Sequence, residues 1–447
     1  MMINREKWYH NAAFYHIYAL GYCGGNFERP DSINKVTENL DYIRESGFNA
    51  IYIGPLFESA THGYDTTDYF KLDRRLGTNE DLKRLVTVAH EKGIRMVLDG
   101  VFNHVGRDFF AFRDVLEKKW ESRYKDWFAG INFEGNNHHN DGFSYDTWEG
   151  HEALVKLNLY NADVKGHLID AVKFWIDEFD IDGIRLDAAD CLNLDFIREL
   201  RCFTEAYKSD FWLMGEIIHG DYRRWMNDDM LHSVTNYEAY KGLYSSFNDK
   251  NFYEIAYSLD REFGTGGLYR ERMPYTFLDN HDVDRIESRL IDKRDLYPLY
   301  LLMYMMPGIP SVYYGSEWGI SGKRTSTSDL MLRPVFNLEK FKTESTCRNL
   351  YKLLQKLNYL YMAHPVLRFG NYEQVYLSHE QIIFKRETET QIGLIGINAS
   401  DQTLDLSVNC QRGEYRDILN DNVSVGSNGS LTMRLHPKWG SVLILDK

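Results

Sequence analysis

Three acidic residues close short apolar runs in settings suited to acid–base chemistry. One run ends R-L-D at Asp187, a second ends M-G-E at Glu216, and a third passes into F-L-D-N-H-D, ending at Asp282. Carboxylates gathered from separate segments into one cleft repel one another, so one keeps its proton while another stays ionised. A protonated acid beside an ionised nucleophile is the division of labour that glycoside hydrolysis requires. Arg185 lies two residues before Asp187 and so shares its strand face, where a guanidinium would hold the carboxylate ionised. His281 precedes Asp282, and D-G-V-F-N-H sets Asp99, Asn103 and His104 at the end of another run. Singly, an acid at a strand end is more often a helix cap or a surface charge. The joint placement is what carries the reading.

Such residues meet only if the elements beneath them converge. Eight β-rich apolar runs recur along the 447 residues: 14–20, 50–54, 95–101, 183–186, 211–215, 233–237, 275–278 and 309–315. Eight is the strand number of a closed (β/α)8 TIM barrel, whose chemistry sits at the C-terminal ends of its strands. Amphipathic segments at 34–46, 79–92, 164–179 and 195–207 are long enough to cross back over a sheet, and this alternation predicts parallel strands, an α/β class. From Val105 to about Asp163 the chain is rich in Trp, Asn, His and Gly, which predicts a short excursion domain after the third strand. Helical periodicity over 347–361 closes the barrel, and past Pro365 alternating runs separated by turn residues predict a C-terminal antiparallel β-sandwich domain. The expected division is 1–104 with 164–365 for the barrel, 105–163 for the excursion and 366–447 for the C-terminal domain.

Composition narrows the partners. With 52 Lys+Arg against 66 Asp+Glu the net charge is −14, which repels phosphate backbones, so no nucleic-acid partner is expected. Neither a leader nor a membrane-length apolar span is read, so no membrane partner is expected either. Five dispersed cysteines (23, 191, 202, 347, 410) read as reduced thiols, and the expected location is cytoplasmic. Asn-x-Ser triplets at Asn398, Asn422 and Asn428 then count as chance. Aromatic residues make up 15% of the chain, a supply of rings for stacking on sugar faces as well as for a core. His138 and His139 stand side by side in a Gly/Asn-rich loop without further ligand spacing and are read as exposed.

Four motifs in order, D-G-V-F-N-H (99–104), G-I-R-L-D-A-A-D (183–190), G-E-I-I-H (215–219) and F-L-D-N-H-D (277–282), resemble those of the α-amylase family of glycoside hydrolases, and the match runs from about Phe14 to Glu317. G-Y-D-T-T-D-Y (63–69) and L-V-K-L-N (154–158) extend it, the latter resembling the neopullulanase and cyclomaltodextrinase side of the family. The resemblance implies Asp187 as nucleophile, Glu216 as general acid and then base, and Asp282 as the grip on a distorted sugar. It implies Tyr64 stacked beneath that sugar, Arg185, His104 and His281 supplying charge and hydrogen bonds around it, and Asp65 and Asp99 bracing the site. The reaction implied is retaining hydrolysis of α-1,4 bonds in maltooligosaccharides or other α-glucans through a glycosyl-enzyme intermediate. Two alternatives stay open: a 4-α-glucanotransferase on the same residues, and an inactive glucan-binding or partner protein on the same barrel. No cofactor is required by this chemistry. A structural calcium is implied for many members, but the Lys-His that follows their nucleophile motif is here Asp190 and Cys191, and Asn103 alone matches a ligand where the ion takes roughly 6 to 8 oxygens.

Overall fold

The structure is a computed structural model that describes residues 7–24, 33–326, 328–345 and 347–447. The opening stretch 1–6, read above for a leader, lies outside the described residues. Eight parallel strands form the barrel: β1 Phe14–Tyr18, β2 Ala50–Gly54, β3 Arg95–Gly100, β4 Gly183–Leu186, β5 Trp212–Gly215, β6 Ser233–Val234, β7 Tyr275–Phe277 and β8 Ile309–Tyr313. Their spatial order is β6-β5-β4-β3-β2-β1-β8-β7. The barrel closes between β6 and β7 through a parallel bridge from Thr235 to Tyr275, where the Asn236 N–H donates to the Tyr275 carbonyl at 2.8 Å. Each predicted run holds one strand, and together they make the expected (β/α)8 barrel.

The strands are apolar throughout because both of their faces are covered. Phe14, Tyr52, Val97, Trp212, Met214, Tyr275 and Phe277 fill the barrel interior. Their neighbours along the strands, including Tyr15, Ile51, Leu98, Ile184 and Leu213, pack outward against the helices. The rings of Phe14 and Trp212 stack at 5.0 Å inside, as part of a packed lower barrel.

The surrounding helices begin where side chains satisfy their free N–H groups. Thr78 and Asp81 form a reciprocal capping box at Asn79–Glu91, Asn161 caps Ala162–Phe179, and Asn193 caps Leu194–Tyr207. The helix predicted over 34–46 is two pieces, Asn34–Glu38 and Leu40–Glu45. The break falls at Asn39, whose side-chain amide donates to the Lys35 carbonyl at 2.6 Å and competes with the main-chain ladder.

After β3 the chain leaves the barrel, with a helix at Phe110–Lys118 and a three-stranded antiparallel sheet of His104–Gly106, Thr147–Trp148 and His151–Lys156. At the C-terminal end a six-stranded antiparallel sheet runs from Asn371 to Asp446, with the two-stranded ribbon of Leu404–Asn409 and Ser430–Leu435 packed on one face, where its Val408 and Met433 meet Ile383, Leu394 and Leu443. Ile382, Ile395, Val442 and Ile444 on the other face join the barrel's core. The guanidinium of Arg386 donates to the carbonyls of Met305 and Gly370 and so ties a barrel helix to this sheet.

Candidate active site

Strand register sets the site. Asp99 on β3 and Arg185 on β4 are direct partners, and Arg185 pairs in turn with Met214 on β5. Extending the same ladder, the Asp187 N–H donates to the Gly100 carbonyl at 3.0 Å and the Glu216 N–H to the Leu186 carbonyl at 2.9 Å. Three strand ends thereby present carboxylates and a guanidinium at one level of the barrel mouth. Arg185 Nη1 donates to Asp99 Oδ1 at 2.9 Å and to Asp187 Oδ1 at 2.8 Å, while Nη2 pairs with Glu216 Oε2 at 2.7 Å. One buried cation holds three carboxylates. Ala188 adopts a left-handed backbone (φ 44°, ψ 46°), rare for a residue with a side chain, and this turns its N–H onto Glu216 Oε2 at 3.1 Å.

Asp282 arrives from the loop after β7. The side chain of Asn280 shapes that loop, accepting from the N–H groups of Asp282 and Val283 and donating to the Tyr237 hydroxyl at 2.9 Å. Asp282 Oδ2 faces His281 Nε2 at 3.0 Å, and Oδ1 accepts from Arg333 Nη2 at 3.0 Å. The Tyr64 hydroxyl donates to Asp99 Oδ2 at 3.2 Å and meets His281 Nε2, with the two rings stacked 5.6 Å apart. Tyr52 reaches the same Asp99 oxygen at 2.9 Å.

These groups border one open cleft of about 1210 Å³ at the C-terminal ends of the strands. Asp187, Glu216, Asp282, Tyr64 and His104 line it. Arg185, His281 and Asp65, each no more than 3% exposed, sit behind that surface. Asp65 braces the loop before Tyr64, its Oδ2 accepting from the Thr61 hydroxyl at 2.6 Å. His104 leans on Trp148 from the excursion, rings 5.6 Å apart, with Nδ1 against the Asn103 amide.

Sequence reasoning did not single out Arg333, Asp329, Tyr18, Tyr237, Trp148 or His151, all of which line the cleft. Arg333 is the most consequential. Besides Asp282 it binds the His281 carbonyl at 3.0 Å and lies over the Tyr18 ring at 4.4 Å. No local spacing marks these residues, although an Asp and an Arg four residues apart beyond the last strand were legible as charges without an assigned place.

Electrostatics separates the three acids. Burial raises Asp282, but His281, Arg333 and Arg185 together overcome it and hold its carboxyl well below the usual carboxylate range. Burial pushes Glu216 up, the Asp282 charge adds to this, and Arg185 opposes it without cancelling it. Asp187 is raised too, by burial and by the charges of Glu216, Asp99 and Asp282, against the pull of Arg185. Asp187 and Glu216 therefore titrate as a pair that keeps a proton where an isolated carboxyl would have lost it. Burial lowers His104 to about 4, which leaves it neutral at pH 7.

Asn103 offers one buried side-chain oxygen and turns its amide to His104, and among the described residues no three His, Cys, Asp or Glu side chains converge to hold an ion. His138 is exposed and pairs with Glu152 at 2.7 Å. Among the described residues no helix is long and apolar enough to cross a membrane.

Comparison with known proteins agrees with this geometry. The family described as alpha amylase, catalytic domain, matches residues 17–356. A cyclomaltodextrinase from Bacillus sp is 33% identical over 374 residues, covering 81% of this chain and 64% of that protein, so this chain spans just under two thirds of its length. An intracellular maltogenic amylase from Bacillus subtilis is 32% identical over 311 residues, covering 69% and 51%. The solved cyclic alpha-maltosyl-(1→6)-maltose hydrolase of Arthrobacter globiformis superposes with a TM-score of 0.81 at 26% identity, covering 99% of each chain. With motifs, barrel and family match in agreement, the chain belongs to the α-amylase family of glycoside hydrolases.

Proposed function

We propose that this chain hydrolyses α-1,4-glucosidic bonds of maltooligosaccharides with retention of anomeric configuration. The observation that carries the reading is the single guanidinium of Arg185 bridging Asp187 and Glu216. Contact with one guanidinium keeps both carboxyls in one small space, as the roughly 5 to 5.5 Å separation used by retaining enzymes requires. In this mechanism Glu216, whose carboxyl burial and the Asp282 charge push up, gives its proton to the glycosidic oxygen as the bond to C1 breaks. Asp187, ionised once Glu216 holds the shared proton, attacks C1 and forms the glycosyl-enzyme bond. Glu216, now a carboxylate, takes a proton from water, which attacks C1 and frees Asp187. Asp282 is ionised throughout and accepts hydrogen bonds from ring hydroxyls, with Tyr64 beneath the sugar and neutral His104 beside it. No step passes through a metal or cofactor. All three carboxylates being in place favours turnover over a role in glucan binding alone.

A second reading, action on maltooligosaccharides that carry α-1,6 links, is favoured by the end-to-end superposition on a hydrolase whose name specifies such a substrate. The free thiols of Cys23, Cys191, Cys202 and Cys410 support an intracellular setting. NMR of the first sugar released from maltohexaose tests the main reading: an α-anomer at early times supports retention, and a β-anomer excludes it. Products longer than the substrate would transfer the assignment to a glucanotransferase. A parallel digest of pullulan reads the linkage.

A further inference from the structure

Arg285 follows Asp282 by three residues and is completely buried. It points away from the cleft, into the loop that follows β8. Nη1 donates to the Tyr314 carbonyl at 2.6 Å and to the Ser316 hydroxyl at 3.1 Å, and Nη2 donates to the Leu332 carbonyl at 2.8 Å. Its own N–H reaches the Gly322 carbonyl at 2.9 Å. The guanidinium lies over the Tyr313 ring at 3.9 Å, and the Tyr313 hydroxyl donates to the same Leu332 carbonyl at 3.1 Å. The side chain thus fastens the start and the end of the loop to the segment that carries Asp282, and the main chain of the same residue holds its middle. Ser316 in turn donates to buried Asp279 at 2.7 Å, and the Ile286 N–H donates to that oxygen at 2.8 Å, so the anchor is itself fixed. The residue after Leu332 is Arg333, whose guanidinium binds Asp282.

From this chain of contacts we infer that Arg285 is a positioning residue: by fixing the Leu332 carbonyl it sets Arg333 against Asp282. A lysine cannot replace it, because one ammonium lacks the planar fork that reaches Tyr314 and Leu332 together and stacks on Tyr313. The kinetic consequence rests on the reading of Asp282 as the group that grips the sugar, whereas the geometry does not.

The test compares Arg285→Lys, Arg333→Gln and the double variant in the full chain, using maltohexaose turnover, thermal melting and the crystal structure of Arg285→Lys. Removing a charge-assisted contact made in the transition state lowers kcat/KM by about 10- to 100-fold. Arg333→Gln is expected to show the full loss and Arg285→Lys a loss of at least about 10-fold, with the double variant within about 3-fold of Arg333→Gln alone, because both changes remove one interaction. Losses that multiply, or a folded Arg285→Lys within about 3-fold of the parent, would overturn the inference. So would a crystal structure of Arg285→Lys in which Arg333 still meets Asp282. If Arg285→Lys does not fold, Tyr313→Phe replaces it, removing only the second anchor on Leu332. A loss of about 3- to 10-fold in the parent and none beside Arg333→Gln is then expected, and equal losses in both backgrounds overturn it. Absence of glucan turnover in the parent chain would instead sink the proposed function and leave Arg285 to be decided by the crystal structure.

Discussion

Replacing Arg185 by lysine probes the centre of the site. The guanidinium makes charge-assisted contacts to Asp99, Asp187 and Glu216 between 2.7 and 2.9 Å, all within the barrel mouth and almost fully buried. An ammonium keeps the charge but is compact, so it can hold one of these oxygens and leaves the other two carboxylates without their contact. Each such contact contributes about 1.5 to 3 kcal/mol, and losing two of them where charge develops raises the barrier by about 3 to 6 kcal/mol. At about 1.4 kcal/mol per decade that is a loss of roughly 10² to 10⁴ in kcat/KM. The pH profile adds a sign. Arg185 pulls the Asp187 carboxyl down against burial. With that pull weakened, Asp187 needs a higher pH to ionise, so the acid limb of the kcat/KM profile for maltohexaose moves upward. A folded Arg185→Lys protein with kcat/KM within threefold of the parent and an unmoved acid limb would refute the argument, because the bridging role would then be unnecessary.

Other expectations follow from single contacts. Glu216→Gln should slow maltotriose far more than 4-nitrophenyl α-maltoside, whose leaving group needs little protonation; equal losses on both substrates would remove Glu216 from the acid role. At the base of the barrel, Asp182 is held by His90 at 2.7 Å, Arg95 at 2.8 Å and the Met96 N–H at 2.8 Å, and His90, the Met96 N–H and the Lys208 charge outweigh burial to lower its carboxyl. A depressed carboxyl contributes stability above its unfolded value, about pH 4, that is lost as the pH falls through the folded value. Asp182→Ala should therefore cost about 3 to 5 kcal/mol at pH 7 and progressively less in acid, and melting curves with the same gap at pH 7 and pH 3 would contradict it. A Cβ added at Gly54 would stand 2.2 Å from the Cβ of Asp99. Gly54→Ala should thus cost about 1 to 3 kcal/mol and reduce kcat more than the melting temperature suggests, checked by pairing calorimetry with turnover.

How much of this was legible in the chain divides along a physical line. Barrel strands were readable because burial on both faces demands unbroken apolar runs, and Asp187 and Glu216 because each sits one residue beyond such a run, where strand register and not loop shape fixes its height; Asp282, on the loop after β7, was legible through its motif instead. Asp99, Arg185 and Met214 stand in one row of the sheet, so finding the runs came close to finding the site. Residues delivered by long connections gave no such signal. Arg333 reaches Asp282 only because Tyr314, Ser316, Gly322 and Leu332 converge on Arg285 from sequence separations of 29 to 47 residues, and no window along the chain spans that. Trp148 reaches His104 through the excursion in the same manner. The split has a chemical counterpart. Groups assigned to bond-breaking ride on strands, whose ladders fix them closely, while the groups that border the rest of the cleft ride on loops held by scattered polar anchors. An anchor such as Arg285 therefore matters as much to the site as a wall residue, and its buried charge bonded to carbonyls makes it recognisable once the fold is known.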